Sequence, residues 1–273
     1  MKKKIDASTL ARDSRFVRRS SAERVGDIRN FNTETRRMDA EAIDVEERAR
    51  RQMHGIFVGE IQALEGAGRT AFDYDTDEVP FELKLDMARQ CWDEARHCEI
   101  AVILNEHMGC EIGEHTEFTT LFEAACHDDP VFRLCGVNRA LEGLAIDVFS
   151  NMRDFGKDMA DPVMYYCEDW MLADEVTHVK MGSKWLREVT KNDLERRDKA
   201  LEFQKIVDRV FSIGGQRSDS PEAAIKLARQ FREMAGFTEG EVDEIAEMSK
   251  QARAAGVVAS QTGAMDEIRA APA

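Results

Sequence analysis

The pattern Asp-x-x-x-His with a glutamate second occurs twice, as Asp93-Glu94-Ala95-Arg96-His97 and as Asp174-Glu175-Val176-Thr177-His178, in a chain that has only six histidines. A three-residue offset on an α-helix is about 300° of rotation, so Glu94 and His97 leave one face together, as do Glu175 and His178. An acid and an imidazole side by side on an apolar face cost desolvation unless they are paired or bound to a metal. Each pattern also follows a stretch with a glutamate among apolar residues: Glu60 precedes Glu94 by 34 residues and Glu142 precedes Glu175 by 33. In an antiparallel hairpin that separation leaves two arms of roughly fourteen residues after a short loop, and a rise of about 1.5 Å per residue returns the chain to the same height. Residues 60–97 and 142–178 therefore read as an internal repeat, weak in identity but matched in chemistry and spacing.

Two glutamates plus two Glu-x-x-His elements, one per helix, supply four carboxylates and two imidazoles, the donor set of a dinuclear site in a four-helix bundle. Oxygen ligands with one histidine per ion suit iron or manganese better than copper, or than structural zinc with its thiolates. A single Glu-x-x-His is most often a satisfied pair on a helix surface. The doubling and the equal spacing carry the metal expectation: two Fe ions, with Mn/Fe as the alternative.

The rest of the chain reads as all-α. Aromatic residues make up 7% and prolines number 5 against 13 methionines, a balance that favours long helices over short, turn-punctuated strands. Met53, Phe57, Ile61 and Leu64 recur at helical spacing in a first helix from Asp39 to about Tyr74. A second helix starts at Pro80 and runs to about Met108. A long crossover follows, containing a short amphipathic piece (Phe118, Leu121, Phe122, Ala125), before a third helix from about Val131 to Phe155. Asp161 and Pro162 open a fourth as N-cap and first residue, ending near Val189. Further helices are predicted over LERRDKALEFQKIVDRVF and PEAAIKLARQFREMAG, then a GEVDEIAEM segment and a weakly ordered end. The predicted organisation is a basic N-terminal arm at 1–38, a four-helix bundle at 39–190, and covering helices and tail at 191–273.

The formal charge is −15, which argues against a general nucleic-acid binder, because affinity for phosphate backbones rests on Lys and Arg. Residues 1–40 oppose that balance with eleven Lys or Arg against six acids, a run that most often forms a solvated tail. The six cysteines form no Cys-x-x-Cys pair; they read as core thiols in a reducing cytoplasm. Neither a signal peptide nor a membrane span is expected.

The motifs DEARH at 93–97 and DEVTH at 174–178, with the repeat across residues 50–190, resemble the ferritin-like di-iron carboxylate superfamily. GEIQALEGA around Glu60 and DEVTHVKMGSKWL from Asp174 resemble a bacterial group of ferritin-like proteins of largely unassigned function, with the tRNA-hydroxylase and rubrerythrin branches more distant. The resemblance implies a ferritin-like fold and metal ligands at Glu60, Glu94, His97, Glu142, Glu175 and His178. It also implies pairing of Asp93 with His178 and of Asp174 with His97. Arg96 is either a buried ion-pair partner or a surface charge, the first being preferred. Ala63-Leu64-Glu65-Gly66 matches Ala140-Leu141-Glu142-Gly143 and would select Glu65 instead of Glu60; Glu60 is preferred because it shares a face with Met53, Phe57 and Leu64.

Other candidates are weaker. Cys91 and Cys98 are core or pocket lining, Tyr165 and Tyr166 pack or relay electrons, and His54 caps or lies at the surface near the site. His107, His115 and His127 lack a partner motif. The function expected is a non-haem di-iron oxidase or oxygenase acting with O2 on a small organic substrate by hydroxylation, N-oxygenation or oxidative cleavage. No flavin, iron–sulfur or rubredoxin signature is present, so electrons come from an external donor or the substrate. The alternatives are a ferroxidase or iron-handling protein, a tRNA-modifying hydroxylase, whose only support is the basic arm, and a non-catalytic bundle. A homodimer is left open.

Overall fold

A computed structural model describes residues 45–115, 120–212, 217–218, 225–255 and 270. The chain is predominantly helical. The long elements are α1 (Val45–Phe72), α2 (Phe81–His107), α5 (Glu142–Asp158) and α6 (Pro162–Val189). The short α3 (Thr120–Ala125) and α4 (Pro130–Arg133) lie between α2 and α5, joined to α5 by a π-helical segment, Leu134–Leu141. Beyond α6 come α7 (Leu194–Phe211), α8 (Arg229–Met234) and α9 (Glu239–Ala255). No described helix is long and apolar enough to cross a membrane. The basic arm at 1–38, the start of the first helix before Val45, Phe118 and most of the chain end lie outside the described residues.

The long helices form two hairpins. α1 packs along α2 and α5 along α6, and α2 meets α6. Contacts between α2 and α6 run His107 to Asp161, Asp93 to His178 and Trp185 to Asp86, so these two helices are antiparallel. Met53, Phe57, Leu104, Phe149, Met164 and Met171 pack in one apolar core between the hairpins. Asp161 caps α6 as its sequence predicts, accepting from the Val163 and Met164 backbone N–H groups with Pro162 next in line.

Three departures from the sequence reading have local causes. The first helix ends at Phe72 because Tyr74 is drawn into the crossover, where its hydroxyl donates to the Asp128 carbonyl at 2.8 Å. The third helix is not uniformly α: Leu134–Leu141 is wound as a π-helix and buried throughout. Gly136 in this segment lies directly against the Ala125 carbonyl, so any Cβ there would collide with the end of α3. The helix predicted over 221–236 is confined to Arg229–Met234, preceded by Ile225–Lys226 (β2), which pairs in parallel with Arg217–Ser218 (β1). Asn151 brackets the Lys226 backbone, accepting from its N–H at 3.0 Å and donating to its carbonyl at 2.9 Å. Asp147 accepts the Ala228 N–H at 2.9 Å. These side-chain bonds from α5 take up backbone groups that a helix would have used internally.

The same segment is anchored by Arg232, fully buried, whose Nη2 lies 2.6 Å from Asp147 Oδ2 and 2.6 Å from the Gly143 carbonyl. Arg139 of the π-helical segment donates to Gln204 of α7 at 2.7 Å and pairs with Glu241 of α9. The C-terminal elements are thus tied to the stretch that leads into Glu142.

Candidate metal centre

Glu60 on α1, Glu94 and His97 on α2, Glu142 at the start of α5, and Glu175 and His178 on α6 converge between the two hairpins. None is more than 4% exposed. They form two adjoining clusters, Glu60–Glu94–His97–Glu175 and Glu94–Glu142–Glu175–His178, whose ligand atoms lie within 4.8 Å of one another in each. Glu94 and Glu175 belong to both. Glu65, the rival of Glu60, is exposed and pairs with Arg69 at 3.5 Å.

Both histidines sit among carboxylate oxygens from several helices. His97 Nδ1 lies 3.1 Å from Glu60 Oε2, from Glu94 Oε2 and from Glu175 Oε1. His178 Nδ1 lies 3.1 Å from Glu94 Oε1 and 3.3 Å from Glu175 Oε2. The opposite ring nitrogens face the aspartates of the other repeat: His97 Nε2 lies 3.3 Å from Asp174 Oδ2 and His178 Nε2 lies 3.3 Å from Asp93 Oδ2. An imidazole whose Nε2–H donates to an aspartate turns its Nδ1 lone pair toward carboxylate oxygens, and that arrangement is repulsive unless a cation or proton stands between them. One nitrogen also cannot donate to three oxygens at once. The donor set and its convergence fit a divalent metal, and each cluster could hold an ion.

Electrostatics lead to the same place. Burial pushes Glu60 up to about 8 against the pull of His97. Burial, reinforced by the charges of Glu94 and Glu175, raises Glu142 well above the usual carboxylate range. Glu94 goes the other way: burial opposes its charge, but His178 and His97 outweigh it and hold the carboxyl low. Burial disfavours charged His97 and His178, yet the surrounding carboxylates raise both. The clustered carboxylates thus raise the affinity of Glu60, Glu142 and both imidazoles for protons, with Glu94 the exception.

Arg96 is half-buried, bonded to Asp93 and 3.3 Å from Asp174, with its guanidinium over the Trp170 ring. It joins the two aspartates that face the histidines and combines both roles weighed for it, an ion pair with one side to solvent.

Three residues near the clusters carry no motif. Gln90, one turn before Glu94, donates to Glu142 Oε1 at 2.6 Å and to Glu94 Oε1 at 3.2 Å. Asn138, one turn before Glu142, donates in turn to Gln90 Oε1. Glu168, two turns before Glu175, is fully buried, and neither of its carboxylate oxygens has a hydrogen-bond partner. Burial, then the charge of Glu60, raises its pKa well above the ordinary value. The available signal was spacing of four and seven residues from a ligand.

The remaining candidates fall outside the clusters. His54 is buried, not at the surface; its Nε2 accepts the Gly113 N–H at 2.8 Å and pins the start of the crossover to α1. His115 does have company, since Cys110, Glu114 and His115 form a third, partly exposed group within 4.8 Å. Its Glu114 is engaged by Arg50 at 2.8 Å. His107 bonds the α6 cap Asp161 at 2.7 Å, and His127 packs against Phe132 and Phe203. Tyr165 and Tyr166 meet edge to face, with Tyr166 largely exposed. All six cysteines are free thiols, Cys91 and Cys98 half-buried on α2.

Fold and site together define a predominantly helical protein with two adjoining buried carboxylate–imidazole clusters that could hold metal. The chain belongs to the family described as "Protein of unknown function (DUF455)", whose model matches residues 4–243. No curated protein and no solved structure matches it.

Proposed function

We propose that this chain is a dinuclear non-haem iron oxidase or oxygenase, built as a ferritin-like four-helix bundle of α1, α2, α5 and α6, with Mn/Fe as an alternative metal pair. The observation that carries the reading is the pair of Nδ1 atoms, each facing carboxylates from different helices while Nε2 is held by an aspartate of the opposite repeat. Glu94 and Glu175, common to both clusters, would serve both ions, and Glu60 with His97 and Glu142 with His178 would complete the two ends. Asp93 and Asp174 orient the rings and raise their basicity. When bound, an iron pair supplies two electrons to O2. The protein contributes a water-poor, pre-arranged ligand shell, with Gln90 fixing the Glu142 carboxylate toward Glu94. The substrate class proposed is a small organic molecule, with electrons from an external donor or from the substrate, in the cytoplasm.

A ferroxidase is the second reading, since the same ligand set oxidises Fe(II). Anaerobic titration with Fe(II) followed by O2 separates them. About two irons per chain should bind, oxidise quickly and then stop. Continued uptake into a soluble assembly holding many irons per chain would decide for storage. Absence of any O2-dependent oxidation would sink both.

A further inference from the structure

The clustered side chains are closed to solvent, so a metal ion needs a path to them, and the surroundings differ in the two directions along the helices. Toward the α2 N-terminus the neighbours are Gln90 and Asn138, neutral amides engaged with each other and with the ligands. Toward the α6 N-terminus stands Glu168. Its counterpart in the repeat, seven residues before Glu94, is Met87, also fully buried. The corresponding position on α2 thus carries an apolar side chain, and a buried carboxyl without a hydrogen-bond partner is the costlier choice.

Glu168 lies on a line. Glu175 is two turns further along the same face of α6, about 10 Å away along the helix axis, and Met164 is one turn back, about 6 Å. The charges that act on the Glu168 carboxyl are those of Glu60 and His97, at the cluster end. Met164 lines a cavity of about 390 Å³ together with Glu47, Arg50, His107, Met108 and Asp161, where the Arg50 charge is met by Glu47 at 2.7 Å and by Glu114 at 2.8 Å. Met164 itself is 2% exposed; an unbranched thioether side chain is the type best able to swing aside.

We propose that Glu168 is a way station for divalent cations that enter from this cavity past Met164 and pass on to Glu60 and Glu175. This rests on the dinuclear-metal reading. A hydrated cation leaving the cavity meets an apolar layer, and the Glu168 carboxyl within it offers oxygen ligands, releasing its proton to solvent as the cation arrives, before the ligand shell is reached.

Stopped-flow mixing of metal-free, full-length protein with Co(II), read by the visible absorption of bound Co(II), tests it. Wild type should fill with about two Co(II) per chain. Glu168→Gln should reach the same final stoichiometry on the order of tenfold more slowly, because the carboxylate that draws the ion inward is gone. Glu168→Asp, which keeps the charge, should load faster than the Gln variant, and gives a readout even where Gln folds poorly. Met164→Trp, which fills the neck, should load slowly as well. Equal loading rates for wild type and Glu168→Gln overturn the proposal. So does a lower final stoichiometry in Glu168→Gln, which would make Glu168 a ligand. Wild-type protein that binds no Co(II) removes the dinuclear reading itself, a result distinct from a Gln variant that loads fast.

Discussion

The two helices that carry Asp-Glu-x-x-His are alike at the cluster and opposite just before it. On α2 the residues seven and four places before the glutamate are Met87 and Gln90; on α6 they are Glu168 and Met171, and all four are fully buried. The polar side chain has changed place and charge while the ligands have not. Gln90 donates to ligand carboxylates of the Glu142 end, whereas Glu168 donates to and accepts from nothing among the described residues. Under the proposed reading, ligand chemistry would require the repeat to be symmetric, whereas holding one end firm and leaving the other approachable would require that it not be.

The largest expected effect separates the shared carboxylates from the terminal ones. Glu94→Ala removes a ligand from both clusters, so elemental analysis should find nearly no metal, while His178→Ala or Glu60→Gln should keep about one ion per chain with helicity preserved. Glu65→Gln should keep both. Full occupancy in Glu94→Ala would end the two-cluster assignment, and metal loss in Glu65→Gln with retention in Glu60→Gln would reverse the choice on α1.

A smaller effect is expected at the firm end. Gln90→Ala frees the Glu142 carboxylate, and metal affinity measured by chelator competition should fall roughly 10–100-fold for one of the two ions, the range for residues that orient a ligand. An equal loss at both ions would show that Gln90 serves the whole site and not one end.

The smallest concerns pH. Glu60 in the folded chain is raised to about 8 from an ordinary value of 4.5, so its proton contributes stability fully below about 4.5 that is lost as pH rises through about 8. With metal removed by chelation, urea midpoints should therefore decline from pH 5 to pH 8, and Glu60→Gln should flatten the decline. Metal binding carries the opposite sign, strengthening as pH rises, because protons compete for the ligands. A metal-free protein that grows more stable over this window would show that Glu60 is not raised.

Chemistry repeated at fixed spacing was legible in the sequence. Glu60, Glu94, His97, Glu142, Glu175 and His178 are brought together because an amphipathic helix pair of matched arm length has few ways to place them, and Asp161-Pro162 announced a helix start by local chemistry alone. The illegible features depend on partners far away in the chain. The stretch around Ile225 has helical composition, but Asn151 and Asp147 claim its backbone. Gln90, Asn138 and Glu168 look like any polar residue on a helix until burial is known, and Gly136 gives no sign that the Ala125 carbonyl will lie against it. His54 read as peripheral because nothing nearby in sequence announces Gly113 as its partner.

The π-helical segment also bears on which chain-length changes this molecule can accept. A π-turn is an α-helix carrying a surplus residue, and each residue added to or removed from a helix rotates the downstream residues by about 100°. A one-residue deletion within 134–141 would let the stretch relax to ordinary α geometry with Glu142 still turned toward Glu94, whereas the same deletion in a regular α-helical stretch would swing the residues after it by about a quarter-turn. The substitution tolerance of these eight positions and their tolerance of altered length are thus separate properties: the loss of one residue can be absorbed here, while the buried Gly136, Asn138 and Arg139 are each held by a specific contact.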